Sequence, residues 1–371
     1  MGLDFIQSYG GRRLDQYDPQ PPLLDEPLDP EDAEEQEDDS IELGCEREPD
    51  AWEPIDLSVP SSWQPRNWSD RPVRFIDGKD VGETIAWLRS PQGHPIPIRL
   101  SQIGGISMRV IDGECRREFD VVERIVSMEI DVFPWEEIES FAIALQQQGF
   151  RLLAARPRDG LSYDFERMRK AAQNKSNEEM TALERVALEQ GCDEATIVDG
   201  RLEPRMRGAV SENVPVVGVI KTHWRNYLHA RGLQTKYQIE VGQRTPIFCL
   251  NECSATEERS GRDLSVVSWF VRLSGSSGAS PNFGLVRVEI PKRWFESRGG
   301  FDRGSITRLS NGGREFVDQL SKTIYEYRCR ERSYGRASIS LHPIVRAEES
   351  LGTLFVPPRS ITGRFYRLTR L

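Results

Sequence analysis

The hydrophobic period of this chain changes abruptly near residue 134, and that change limits the folds open to it. In residues 121–133, Val126, Met128, Ile130 and Val132 alternate with polar neighbours, the signature of a half-buried strand. From Trp135 the spacing becomes helical, with Trp135, Ile138, Phe141, Ala142 and Leu145 on one face and Gly149 placed to cap the end. The alternation continues in both directions. Residues 73–77, 81–89, 96–110, 195–199, 214–221, 245–250, 264–273 and 285–290 read as strands. Residues 161–190 and 310–332 read as helices, and 339–351 as a strand and a short helix that Pro343 starts. Ile111-Asp-Gly-Glu114 reads as a tight turn. With no internal repeat, the expected architecture is α/β, a mixed central sheet flanked by helices.

Charge divides the chain unevenly. The 371 residues carry a net −10, yet residues 1–50 hold 17 Asp or Glu against three Arg, so residues 51–371 carry a net +4. Residues 25–50 contain no aromatic side chain, and so acidic a run has too little apolar surface to offset the entropy of ordering itself. Residues 1–70 are therefore expected to be an acidic, Pro-rich flexible segment, ending in an arm that packs Trp52, Trp63 and Trp68 onto a folded body at 71–371. The acidic run reads as a solvated spacer, or as a nucleic-acid mimic over a basic groove. No apolar run reaches the roughly 18 residues of a membrane span, and the N-terminus lacks a basic start and an apolar stretch. Six dispersed cysteines without a C-x-x-C pair fit a reducing compartment, so a cytoplasmic protein without membrane association is expected. There is no G-x-x-x-x-G-K motif for an ATP-driven motor.

Four acids stand on apolar faces, where a carboxylate is costly unless something compensates it. Period two places Val73, Phe75 and Asp77 together, and likewise Ala195, Ile197 and Asp199. Both aspartates are expected to end a strand, and both precede Gly and a basic residue. Glu184 lies between Met180 and Leu188 at spacing four, and Glu348 shares a stripe with Ile344, Ala347 and Leu351. Carboxylates delivered by separate elements suit a two-metal phosphodiesterase, whose cations lie about 3.5–4 Å apart among hard oxygen ligands. Each acid also has a plain reading: Asp-Gly is a common turn pair, and Glu184 alone could be a rim residue with its carboxylate in water. Glu129 and Asp131 alternate with Met128 and Ile130 and are expected to face solvent.

Taken together, Phe75-Ile-Asp-Gly, Ala182-Leu-Glu-Arg-Val-Ala-Leu-Glu, Thr196-Ile-Val-Asp-Gly-Arg-Leu and Val216-Val-Gly-Val-Ile-Lys-Thr resemble the NurA family of DNA-end-processing nucleases, from about residue 70 to the C-terminus. The resemblance implies an RNase H-like fold, a Mn²⁺ (or Mg²⁺) dependent DNA nuclease, a homodimer, and a HerA-type hexameric DNA-translocating ATPase as partner in DNA repair or anti-phage defence. Carried onto this sequence, Asp77, Glu184 and Asp199 match catalytic metal ligands. The family's closing motif, Pro then Ala then His or Asp, reads here Pro343-Ile-Val-Arg-Ala-Glu348. Glu348 is thus the fourth metal ligand by position, although its longer side chain would shift the ion, and His342 is the substitute candidate.

Beyond the ligands, Lys221 is placed to hold a phosphate oxygen or the charge that develops on it. Tyr227 could orient the nucleic-acid strand, or simply pack in the core. Arg328, Arg330, Arg332 and Arg336 form a cluster suited to backbone phosphates, or a solvated helix end; Arg328 and Arg332 are the expected DNA contacts. Three functions compete: a DNA nuclease; a dimeric RNase H-like adaptor on the ATPase with weakened metal binding, whose only sequence support is the Glu348 departure; and another RNase H-like enzyme such as a guide-dependent nuclease, for which the chain is short.

Overall fold

The computed structural model describes residues 2–14, 46–60, 62–157, 164–191, 193–206, 214–222, 228–252, 264–276, 278, 280–303, 305 and 308–371. Its centre is one large mixed sheet. The strands are β1 (Arg12–Arg13), β2 (Ile55–Asp56), β3 (Arg74–Arg89), β4 (Pro95–Ile111), β5 (Glu114–Met128), β6 (Arg151–Ala154), β7 (Thr196–Asp199), β8 (Val216–Ile220), β9 (Gln243–Arg244), β10 (Phe248–Glu252), β11 (Leu264–Arg272) and β12 (Leu285–Pro291). They run in the order β2-β9-β11-β12-β8-β7-β3-β4-β5-β6, with β1 added to β3 and β10 to β11.

Five of these strands form a recognisable unit. β3, β4 and β5 are a long antiparallel meander, and β7 and β8 follow on the other side of β3, parallel to it. The order β5-β4-β3-β7-β8 with these directions is that of an RNase H-like core. Asp112 and Gly113, both at positive φ, make the tight β4–β5 hairpin whose turn the Asp-Gly pair announced.

Strand alternation sorts side chains to two faces. Ile76 and Val198 face Ala187 and Leu188 of helix α3 (Phe165–Glu189). Phe75, Ile197, Val217 and Val219 face the opposite layer, where α7 (Asn311–Glu326) contributes Phe316, Val317 and Leu320, and α8 (His342–Leu354) contributes Ile344, Ala347 and Leu351. Each of the larger side chains, the Val, Leu, Ile and Phe, contributes about 1.5–3 kcal/mol by leaving water. The remaining helices are α1 (Phe5–Ser8), α2 (Trp135–Gln147), α4 (Glu203–Met206), α5 (Ala230–Gln238), α6 (Lys292–Ser297) and α9 (Pro358–Thr369). Among the described residues, no helix is long and apolar enough to cross a membrane.

Several expectations are corrected. Residues 73–77 and 81–89 are not two strands joined at Asp77-Gly78 but the single sixteen-residue β3. Residues 2–13 do not belong to a flexible segment. Phe5 is buried and stacks on Phe141 at 4.8 Å, Ile6 is buried, and β1 pairs with Trp87 and Ala86. Most of the acidic run at 25–50 lies outside the described residues, but its last residues, from Glu46, are held. Glu46 lies 2.7 Å from buried Arg244, which also binds Asp318 at 2.7 Å. Trp52 is fully buried, and Trp68 meets Phe316 at 5.4 Å. Glu129 is buried rather than solvent-facing, because both faces at the end of β5 are covered: Ile125 and Ser127 are as buried as Val126 and Met128.

Candidate active site

β3 pairs with β7 at Arg74↔Thr196, Phe75↔Ile197 and Ile76↔Val198, and the pairing then stops. The next step in that register sets Asp77 level with Asp199, on the same face. Adjacent strands run roughly 4.8 Å apart, so the two carboxylates are neighbours where the strands part. β8 completes the row: Asp199 is opposite Val219, and Lys221, two residues further on, reaches Asp199 Oδ2 with its Nζ at 2.6 Å.

Glu184 enters from the other side of the sheet. α3 crosses β3 and β4 at Gly78 and Gly105, which are paired across the two strands. A Cβ at Gly78 would lie 2.9 Å from the Glu184 carboxyl carbon, and one at Gly105 would lie 2.9 Å from the Leu183 carbonyl. The glycine after Asp77 therefore serves close helix approach within a strand, not a turn. Glu184 is 2% exposed and is held by Arg205 of α4, whose Nη2 lies 2.9 Å from Oε1 and 2.8 Å from Oε2. Only the first contact has hydrogen-bond geometry; Glu184 Oε2 is buried without a donor. The same guanidinium donates to the Asp199 carbonyl at 2.7 Å and the Arg201 carbonyl at 2.8 Å.

These acids share one electrostatic neighbourhood. Burial, then the charges of Asp199 and Glu184, push the Asp77 carboxyl well above the ordinary aspartate range; Lys221 pulls the other way and Glu348 adds to the rise. Burial raises Glu184 as well, against the pull of Arg205. For Arg205, burial opposes the charge, but the carboxylates of Glu184 and Asp199 outweigh it and tighten its proton. A cluster that strains to keep its negative charge is a mark of a functional site.

The sequence-derived residues divide at this point. Asp77, Glu184, Asp199 and Lys221 come together, with Glu348 at the margin. Glu348 accepts from the Tyr334 hydroxyl at 2.6 Å and lies 3.9 Å from Lys79 Nζ and 3.7 Å from Arg336 Nη2. His342 is exposed at the start of α8, six residues before Glu348 and so about 120° away around the helix. Arg328 is taken up by Tyr325: it donates to that carbonyl at 2.9 Å and stacks over the ring at 3.8 Å. Arg332 is exposed in a turn, and Arg330 lies 3.6 Å from Glu326. Of the four grouped arginines, Arg336 reaches the margin of the site. Tyr227 lies outside the described residues. Sequence reasoning missed Arg205, Lys79 and Tyr334. The one signal was for Lys79, the basic residue that follows Asp77-Gly78; Arg205 and Tyr334 had none.

Against known proteins, no family model and no curated protein matches the chain. Among solved structures it is similar to the NurA nuclease from Sulfolobus solfataricus, at 11% sequence identity over 84% of this chain and 85% of that one, with a TM-score of 0.43. So loose a superposition leaves the functional reading to the site.

The donor set fits an oxygen-seeking divalent cation: all carboxylates, one of them (Asp77) destabilised in its charged form and another (Glu184) with a buried oxygen lacking a donor. The side chains do not stand as a finished cage. Among the described residues, no three His, Cys, Asp or Glu side chains converge to hold an ion. Lys221 and Arg205 supply the positive charge instead, and these contacts would have to loosen for a cation to enter.

Proposed function

We propose that this protein is a divalent-metal-dependent DNA nuclease. The observation that supports it most is the level, same-face placement of Asp77 and Asp199 where parallel strands part, with buried Glu184 beneath them. Asp77, Glu184 and Asp199 would hold Mn²⁺ or Mg²⁺. Bound there, such a cation polarises a phosphodiester and lowers the pKa of water beside it. The chain's own contributions are distinct. Asp77 and Asp199 would set the place of that cation where β3 and β7 part. Lys221, 2.6 Å from Asp199, is placed to neutralise negative charge as it builds on a phosphate oxygen. Arg205 holds Glu184 and the end of β7 in one piece, which limits reorganisation during the reaction. The reading extends to processing of DNA ends as a homodimer, with a HerA-type hexameric ATPase delivering the DNA, in repair or anti-phage defence.

The test is cleavage of linear duplex and single-stranded DNA with Mn²⁺ or Mg²⁺ by the wild type and by Asp77→Asn and Asp199→Asn. The nuclease reading expects cleavage by the wild type alone. A second reading, a dimeric adaptor on the ATPase with weakened metal binding, draws on the ion pairs that occupy Asp199 and Glu184. It expects equal background cleavage in all three proteins.

A further inference from the structure

The position that the NurA resemblance makes a fourth metal ligand is differently employed in this chain. Both oxygens of Glu348 face donors or cations: Oε2 takes the Tyr334 hydroxyl at 2.6 Å and lies 3.7 Å from Arg336 Nη2, and Oε1 lies 3.9 Å from Lys79 Nζ. Lys79 is two residues beyond Asp77 on the same face of β3. The Arg336 guanidinium is 3.5 Å from the Tyr334 hydroxyl and feels the charge of Asp199. Its side chain is 61% exposed and that of Lys79 is 32% exposed, so each presents charge to solvent beside the acids.

We infer that Glu348 is a positioning residue, which with Tyr334 sets Lys79 and Arg336 as a two-cation seat for a backbone phosphate of the nucleic-acid strand, rather than completing the ligand set of the cation. The inference rests on the nuclease reading and deepens it. Its chemistry is ordinary: a guanidinium and an ammonium fixed by one carboxylate form a pair of donors for an anionic oxygen at a fixed distance from the acids. Sequence position alone could not reveal it, because Tyr334 and Arg336 precede Glu348 by 14 and 12 residues in an irregular connection.

Two measurements decide the assignment. The first is calorimetric titration of Mn²⁺ into the wild type, Glu348→Gln and Asp77→Asn. The inference expects Glu348→Gln to bind like the wild type and Asp77→Asn to lose binding. A Glu348→Gln protein weakened about 10–100-fold, the scale on which even outer-shell partners of a metal act, overturns the inference. The second is anisotropy of a labelled single-stranded oligonucleotide in EDTA across a salt series. Lys79→Gln and Arg336→Gln should each lower the slope of log affinity against log salt by about 0.7, the loss of one phosphate contact. Tyr334→Phe, which leaves the net charge unchanged, should weaken binding through lost positioning. Wild-type slopes in both Lys79→Gln and Arg336→Gln overturn the inference while leaving the nuclease reading intact. A wild-type protein that takes up no Mn²⁺ and binds no DNA overturns the nuclease reading itself, and the inference with it.

Discussion

Replacing Arg205 by leucine removes the one guanidinium that binds a carboxylate 2% exposed and two carbonyls at once. Breaking a buried ion pair from one side costs about 3–5 kcal/mol, because the remaining charge is left uncompensated. Unfolding entropy is roughly 2.1 cal/mol/K per residue, or about 0.8 kcal/mol/K for this chain, so the melting temperature should fall about 4–6 °C. The loss depends on pH in a definite direction. Burial already raises the proton affinity of Glu184, so without Arg205 the carboxyl takes up a proton as the solution is acidified and the penalty shrinks. The loss should therefore be larger at pH 8 than at pH 5. Adding Glu184→Gln to Arg205→Leu should recover much of it, since no buried charge then remains. Scanning fluorimetry of the wild type, both single variants and the double variant at the two pH values provides the full cycle. An Arg205→Leu protein that melts with the wild type at pH 8, or a double variant no better than the single one, would refute the reasoning.

Asp77→Asn should abolish metal-dependent cleavage yet raise the melting temperature in EDTA by about 1–3 °C at pH 8. A carboxyl with a raised folded-state proton affinity favours folding below the ordinary aspartate range and loses that contribution as pH rises through the raised value, so the gain should vanish near pH 3–4. At limiting metal, Mn²⁺ uptake by the wild type should rise with pH as Asp77 gives up its proton, which calorimetric titration at several pH values checks. Gly105→Ala drives a methyl into the Leu183 carbonyl, which lies 2.9 Å from its position, and should cost about 1–3 kcal/mol while cleavage falls as Glu184 shifts. Arg244→Leu leaves Glu46 and Asp318 buried without their shared cation and should cost about 3–5 kcal/mol, read from denaturant unfolding.

Much of the candidate site's geometry was legible because strand alternation is a local rule. Phe75 and Ile197 are apolar and buried, so Asp77 and Asp199, two residues on, had to share their faces, and the parallel register made them neighbours. Gly78 misled, since Asp-Gly signals a turn when the chain is read alone, as it does at Asp112-Gly113 and after Asp199. Only the α3 crossing, a contact 106 residues away in sequence between Gly78 and Glu184, shows why the second residue lacks a side chain. Phe5 and Ile6 were missed because two apolar residues ahead of an acidic run have no period, and their value appears only against Phe133 and Phe141. α9 went unread although Ile361 and Phe365 are spaced as one buried face, because Gly363 lies between them and two prolines precede them. Glu348 was read as lying on an apolar stripe, whereas it is half-buried at its edge, and two of its partners, Tyr334 and Arg336, come from a connection with no regular pattern.

The most direct test of the central claim is an anomalous difference map from a crystal of the protein soaked in Mn²⁺. The account predicts a peak within about 2.0–2.6 Å of oxygens from both Asp77 and Asp199, with Lys221 withdrawn from Asp199. A map with no peak beside these two aspartates, and with Lys221 still bound to Asp199, would contradict it.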